Sequence, residues 1–271
     1  MSGTTGYDLS GVVNGGGQWF TAPMTRDEAP GVHYAVGSDV GRRRSANEDS
    51  AYATPRLLAV ADGMGGHAAG EVASAIAIEA MADLDGRLAD ADPEKRNLLH
   101  ELGEGVSDAA TRLNERVAAE PELEGMGTTL TAILWDGTTF GLAHIGDSRG
   151  YLLREGELSQ LTKDHTMVQS LVDEGKMPAE LAARHPGRSV LIRALMAGSS
   201  AEPDLTTHTA EPGDRYLLCS DGLTDVTTPD EILEVLSSSE TPEDAVGRLI
   251  DIANEGGGPD NITCVIAYVD H

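Results

Sequence analysis

Four aspartates stand at the ends of apolar runs too short for helices. Asp62 follows Leu57-Leu58-Ala59-Val60-Ala61, and Asp147 closes the run that ends His144-Ile145-Gly146. Asp221 closes the run 215–220, and Asp260 stands just before the run 262–269. Apolar runs of this length, bounded by turn signals, read as buried strands. Asp62 and Asp221 are each followed by glycine, and Asp147 is preceded by one. Taken singly, each Asp-Gly reads first as a plain turn. If the strands over 215–220 and 262–269 pair antiparallel, however, Asp221 and Asp260 share a sheet edge. Two carboxylates about 4 Å apart repel by roughly 4 kcal/mol at an effective dielectric near 20. That is a large part of the about 5–15 kcal/mol that holds a whole domain together. Four carboxylates on one edge therefore call for cations. No two of the 8 histidines are four residues apart, and neither HExxH nor GxxxxGK[ST] occurs. The donors are then oxygens, which suits Mg²⁺ or Mn²⁺ ahead of Ca²⁺.

Charge narrows the partners. The chain of 271 residues carries a formal charge of −26, which repels nucleic acid and anionic membrane alike. Cys219 and Cys264 both lie in apolar runs outside any CxxC pair, and read as reduced, buried thiols. No apolar stretch reaches the length of a membrane span and no signal pattern opens the chain, so a soluble cytoplasmic protein is expected.

Residues 1–30 are rich in Gly, Ser and Thr without periodicity, and are expected to form a disordered tail before one domain over 31–271. The stretch GRRRSANEDS reads as a polar turn carrying Arg42, Arg43, Arg44, Asn47, Glu48 and Asp49. The 3.6-residue period predicts helices over 69–88 and 93–119, the second opening at Pro93. Residues 127–161 predict four strands in an antiparallel meander. A helix near 166–175, a strand at 215–221, helices after Pro229 and over 242–255, and a final strand complete the chain. The fold class is α+β. Two packed, mainly antiparallel sheets flanked by helices, a four-layer α-β-β-α sandwich, bury both faces of each sheet.

Six motifs in order then resemble a known family. They are Arg44 with Asn47-Glu48-Asp49, VADGMGG at 60–66, GMGTTL at 125–130, HIGDSRGY at 144–151, CSDGL at 219–223 and GGPDNIT at 257–263. Over residues 34–270 the chain resembles the metal-dependent serine/threonine protein phosphatases (PPM, protein phosphatase type 2C) in their bacterial form. The resemblance implies that Asp62 bridges two Mn²⁺ or Mg²⁺ ions, with the Gly63 carbonyl as a further ligand. It implies that Asp221 and Asp260 complete one ion's shell, and that Asp147 with Asp221 holds a third, weaker ion. Glu48 or Asp49, together with Asn261, would stand just outside the metal ligands, and Arg44 would clamp phosphate. Residues 163–198 would form a mobile flap beside the cleft, and its basic Arg184, His185 and Arg188 read either as an attractant for phosphopeptide or as plain surface charge. The implied activity is hydrolysis of phosphoserine and phosphothreonine in proteins by a metal-activated water, by a monomer opposing bacterial Ser/Thr kinases. One departure stands out. Animal relatives carry a histidine two residues after the aspartate matching Asp62, where this chain has Met64, and His67 is not equivalent. Two alternatives differ in function. A non-catalytic protein-binding module on the same fold would lack metal ligands, whereas every expected aspartate is present. A phosphatase dedicated to an anti-sigma-factor antagonist finds no sensor domain in this sequence to support it.

Overall fold

The computed structural model describes residues 12–14, 31–65, 69–92, 96–182, 185–199 and 202–270. The strands fall into two sheets. The larger runs β1 (Val12–Asn14), β3 (Asp49–Ala53), β4 (Leu57–Met64), β6 (Leu130–Trp135), β7 (Thr139–Ile145) and β11 (Asp204–Thr209). At the tip of β4, β5 (Gly127–Thr128) pairs in turn with β10 (Leu195–Met196). The smaller sheet runs β2 (Val32–Asp39), β13 (Ile262–Val269), β12 (Arg215–Cys219), β8 (Arg149–Arg154) and β9 (Glu157–Gln160). Each strand pair is antiparallel.

Alternation along the strands divides the core into three layers. Leu57, Ala59 and Ala61 of β4 pack under α1 (Ala69–Leu88) and α2 (Leu98–Ala119). Their neighbours Leu58 and Val60 face the other sheet, with Val265, Ala267 and Val269 of β13. Cys264, Ile266 and Tyr268 turn away toward α5 (Asp221–Thr224), α6 (Pro229–Ser238) and α7 (Pro242–Glu255). Strands buried on both faces lose the apolar-polar alternation of a half-exposed sheet. This is why LLAVA and LLC read as continuous apolar runs. The expected four-layer sandwich is the observed architecture, and both cysteines are free and buried.

The structure departs from the sequence reading at several places, among them the strand expected over 215–221, which ends at Cys219 so that Asp221 opens α5. Among the rest, first, the meander breaks, because β6–β7 belongs to the large sheet and β8–β9 to the small one. The crossing takes place at Gly146-Asp147-Ser148, where Gly146 adopts φ +115° and a Cβ would lie 2.5 Å from Thr129 Cγ2. Second, α2 begins at Leu98. Asn97 caps it, its side chain accepting the His100 N–H, which gives the helix a start that Pro93 does not; Pro93 itself lies outside the described residues. Third, the supposed polar turn ends in a strand, since Asp49 opens β3. Fourth, the polar, exposed β11 carries none of the apolar signal of a core strand and joins β7 as an edge. Within the first thirty residues, Val12–Asn14 pair with Ser50–Tyr52 of β3, and the rest lie outside the described residues. Between β9 and β10 the chain forms α3 (Met167–Asp173) and α4 (Ala179–Ala182). Among the described residues no helix is long and apolar enough to cross a membrane.

Candidate active site

The strand tips converge at one end of the sandwich. Asp62 lies opposite Asp49 in the β3–β4 register. Its backbone is pinned from the neighbouring strand. The Asp62 N–H donates to Thr129 Oγ1 (2.9 Å), and Thr128 Oγ1 donates back to the Asp62 carbonyl (2.9 Å). Thr129 Oγ1 also shares a hydrogen bond with Ser148 Oγ (2.7 Å), which ties Asp62 to the residue after Asp147. The two threonines of GMGTTL and the serine of HIGDSRGY thus couple two carboxylate-bearing segments.

Glycine at 63 has a packing reason. A Cβ there would lie 2.0 Å from the Gly70 carbonyl oxygen and 2.6 Å from that of Glu48. Only a residue without a side chain lets the start of α1 come this close to the strand tip.

The small sheet supplies the facing half. Cys219 and Cys264 are register partners, so the end of β12 meets the start of β13, and Asp221 and Asp260 flank the same edge. Ser220 locks the sheets together. Its hydroxyl donates to Asp49 Oδ2 (2.7 Å) and accepts the Thr263 N–H (3.0 Å). Asn261 organises the loop that brings in Arg44. Its Nδ2 donates to the carbonyls of Val40 (3.0 Å) and Ala46 (2.9 Å), and its Oδ1 accepts the Glu48 N–H (2.8 Å). Arg44 Nη2 then lies 2.6 Å from Asp260 Oδ2, and Nη1 lies 3.9 Å from Glu48 Oε2.

The electrostatics are those of a strained anionic cluster. Burial, followed by repulsion from Asp49, Asp221, Asp147 and Asp260, raises the Asp62 carboxyl well above the usual carboxylate range. Asp221 is raised in the same way, by burial and then by Asp147, Asp225 and Asp260. Burial pushes Asp49 up to about 6 against the Ser220 hydrogen bond that holds it down. Asp147 rises to about 7 through burial and the nearby Asp164. Burial also raises Glu48, which Arg44 partly offsets.

The cluster is looser than a closed chelate. Among the described residues, no group of three or more His, Cys, Asp or Glu side chains is drawn together to hold a metal ion. Arginines supply part of the neutralising charge instead, Arg44 to Asp260 and Arg188 to Asp225 (2.5 Å). The donor set nevertheless fits a hard cation. When ionised the carboxylates are acceptor-only, and Asp49 Oδ1 is buried without a hydrogen-bond partner among the described residues. Mg²⁺-like ions keep several waters and need only one or two carboxylates each.

Several residues of the site carried no sequence assignment. Ser220, Thr129 and Ser148 sit inside the motifs but read there as ordinary strand or turn residues. Asp225 lies one turn after Asp221, its N–H donating to the Asp221 carbonyl (2.8 Å). Asp164 receives a two-pronged contact from Arg149, Nε to Oδ1 (2.9 Å) and Nη2 to Oδ2 (2.7 Å). The basic stretch expected to attract phosphopeptide is partly committed, Arg188 to Asp225 and His185 Nδ1 to the Gly187 N–H (3.0 Å). Arg184 and His67 lie outside the described residues.

Comparison with known proteins bears on the same segments. A family model described as protein phosphatase 2C matches residues 37–255. The serine/threonine protein phosphatase PstP of Mycobacterium tuberculosis is 56% identical over 238 residues, or 88% of this chain and 45% of that protein. The chain therefore spans about half the length of that relative. A crystal structure of the Mycobacterium tuberculosis enzyme superposes with a TM-score of 0.83 at 55% identity, covering 89% of this chain and 99% of that one. A PstP catalytic domain in complex with two manganese ions superposes with a TM-score of 0.80 at 53% identity, covering 89% of this chain and 99% of that one.

Proposed function

The chain belongs to the protein phosphatase 2C family, and from that membership we propose that it hydrolyses phosphoserine and phosphothreonine in proteins with two Mn²⁺ or Mg²⁺ ions. The observation that carries the reading is the group of desolvated, mutually repelling carboxylates around Asp62, with Arg44 at its rim.

Asp62, Asp221 and Asp260, with the Gly63 carbonyl, would hold the two ions, and Asp147 with Asp221 a third. When bound, the ions supply Lewis-acid activation of a water nucleophile and neutralise charge on the transferring phosphoryl group. The protein's own groups do the positioning. Thr128 and Thr129 fix the Asp62 backbone, so its carboxylate does not move with the substrate. Asp49, fastened by Ser220, backs Asp62 from the adjacent strand. Asn261 sets the loop that presents Arg44 and Glu48. Arg44 is half-exposed and offers a planar fork that suits two phosphate oxygens, which a lysine would meet only as a point charge. Phosphoproteins modified by Ser/Thr kinases are the proposed substrates, met by a monomer in the cytoplasm.

The test is hydrolysis of an aryl phosphate and of phosphopeptides with and without Mn²⁺. Asp62→Asn and Asp221→Asn are each expected to abolish the metal-dependent activity. Full activity in either variant would overturn the site assignment.

A further inference from the structure

Beside the carboxylate cluster lies a groove of about 420 Å³ between the tip of β4 and the segment that leads out of the flap. Met64, Leu191, Ile192, Ala194 and Met196 form the apolar part of its lining, and four polar residues, Arg193 and Glu202 among them, complete it. Resting on the phosphatase reading, we propose that this groove binds an apolar side chain of the substrate protein, within three residues of the phosphorylated one.

The floor follows from strand pairing. Met64 and Met196 are both register partners of Gly127, one from each side. A Cβ on Gly127 would lie 2.8 Å from Met196 Cγ and 3.3 Å from Met64 Cε. The two methionines therefore close over a position where only glycine leaves room. Ile192, 57% exposed, forms the outer wall, and Val190 beside it is 50% exposed. Exposed apolar side chains at and next to the apolar part of a groove are the pattern of a binding surface.

The occupant follows from position and charge. Met64 is two residues along the strand from Asp62, about 7 Å away at the rise of a strand. An extended substrate advances about 3.5 Å per residue, so a chain whose phosphoresidue sits at Asp62 reaches the groove within two or three residues. Methionine is unbranched and polarizable, so the floor accepts Leu, Met or Phe rather than one fixed shape. Acidic side chains are disfavoured. Arg193, at the groove wall, is already bonded to Asp204 Oδ1 (2.8 Å) and the Glu202 carbonyl (3.3 Å), and the Glu202 side chain adds negative charge at the rim.

The experiment uses phosphothreonine peptides identical except for Leu or Asp at each of the three positions on either side, assayed with Mn²⁺. At one or more positions, kcat/KM should favour Leu over Asp by at least about tenfold, the effect of burying most of one aliphatic side chain. Ile192→Asn, which removes the apolar wall without adding charge, should bring that ratio to within about twofold, and Ile192→Lys should turn the preference toward Asp. Ile192 is largely exposed, and thermal melting checks that both variants fold. Wild-type protein that discriminates at none of the six positions overturns the proposal, as does a preference that survives both variants. Failure to hydrolyse a plain aryl phosphate with Mn²⁺ would instead overturn the phosphatase reading itself.

Discussion

Replacing Asp49 by Asn should stabilise the metal-free protein, by an amount that grows as pH rises from about 4 to about 6 and then stays constant. Asp49 is buried beside Asp62, and its Oδ1 has no hydrogen-bond partner among the described residues. Burial moves its carboxyl from 3.8 to about 6. The unfolded chain releases this proton near the ordinary value and the folded protein near the raised one. Between the two, the folded state holds more protons, so stability falls as pH rises through that window and stays low above it. A displacement of this size corresponds to about 3 kcal/mol. Asparagine cannot ionise, yet it keeps an oxygen to accept the Ser220 hydroxyl. For a domain of this size, about 2–4 °C accompanies each kcal/mol. The expected gain in Tm is therefore roughly 6–12 °C at pH 8 in chelator, and close to zero at pH 4. His144 gives an opposite slope. Its pKa, pushed down to about 4 by burial, costs stability as pH falls below 6.5. That slope is common to both proteins and cancels in the difference. Calorimetric melts in chelator from pH 4 to 8 measure the effect. No gain at pH 8, or an equal gain at pH 4, would refute the claim that the buried charge is what the fold tolerates here. With Mn²⁺ present the wild type should recover most of the difference, since the ions bind the folded state and satisfy its carboxylates.

Two further outcomes follow from the same geometry. Gly63→Ala places a methyl group 2.0 Å from the Gly70 carbonyl oxygen, so the strand tip and α1 must separate. The cost should exceed the about 1–3 kcal/mol of ordinary overpacking, and a variant that unfolds in urea with the wild type would contradict that close approach. Arg44→Ala removes a half-exposed guanidinium whose partner in the free protein is Asp260. The expected result is a KM for phosphopeptide raised about 10- to 100-fold, the effect of losing charge-assisted hydrogen bonds, with calorimetric Mn²⁺ affinity no weaker than in the wild type.

The elements with strong local signals were legible in the sequence. α1 carries small and apolar residues at helical spacing, α6 and α7 each begin with Pro after a capping threonine, and β4, β12 and β13 are apolar runs with no other reading. β3 was not legible, because Asp-Ser-Ala-Tyr-Ala is short and polar and becomes a strand only when paired with β4. β11 was missed for the same reason. The break between β7 and β8 was also hidden, since a turn at Gly146 looks the same whether the next strand returns to its own sheet or crosses to the other.

By itself the sequence determined that Asp62, Asp147, Asp221 and Asp260 lie in or within two residues of strands, close to their ends, and in which order. Those are local facts, written in apolar runs and turn residues. The tertiary structure alone decided that Asp49 faces Asp62, that Ser220 bridges the sheets, and that Arg44 rests on Asp260. It also decided that Met64 meets Met196 across Gly127. Each of these joins residues between about a dozen and more than two hundred positions apart. Strand register and sheet packing set such contacts, and neither has a local signature in the chain.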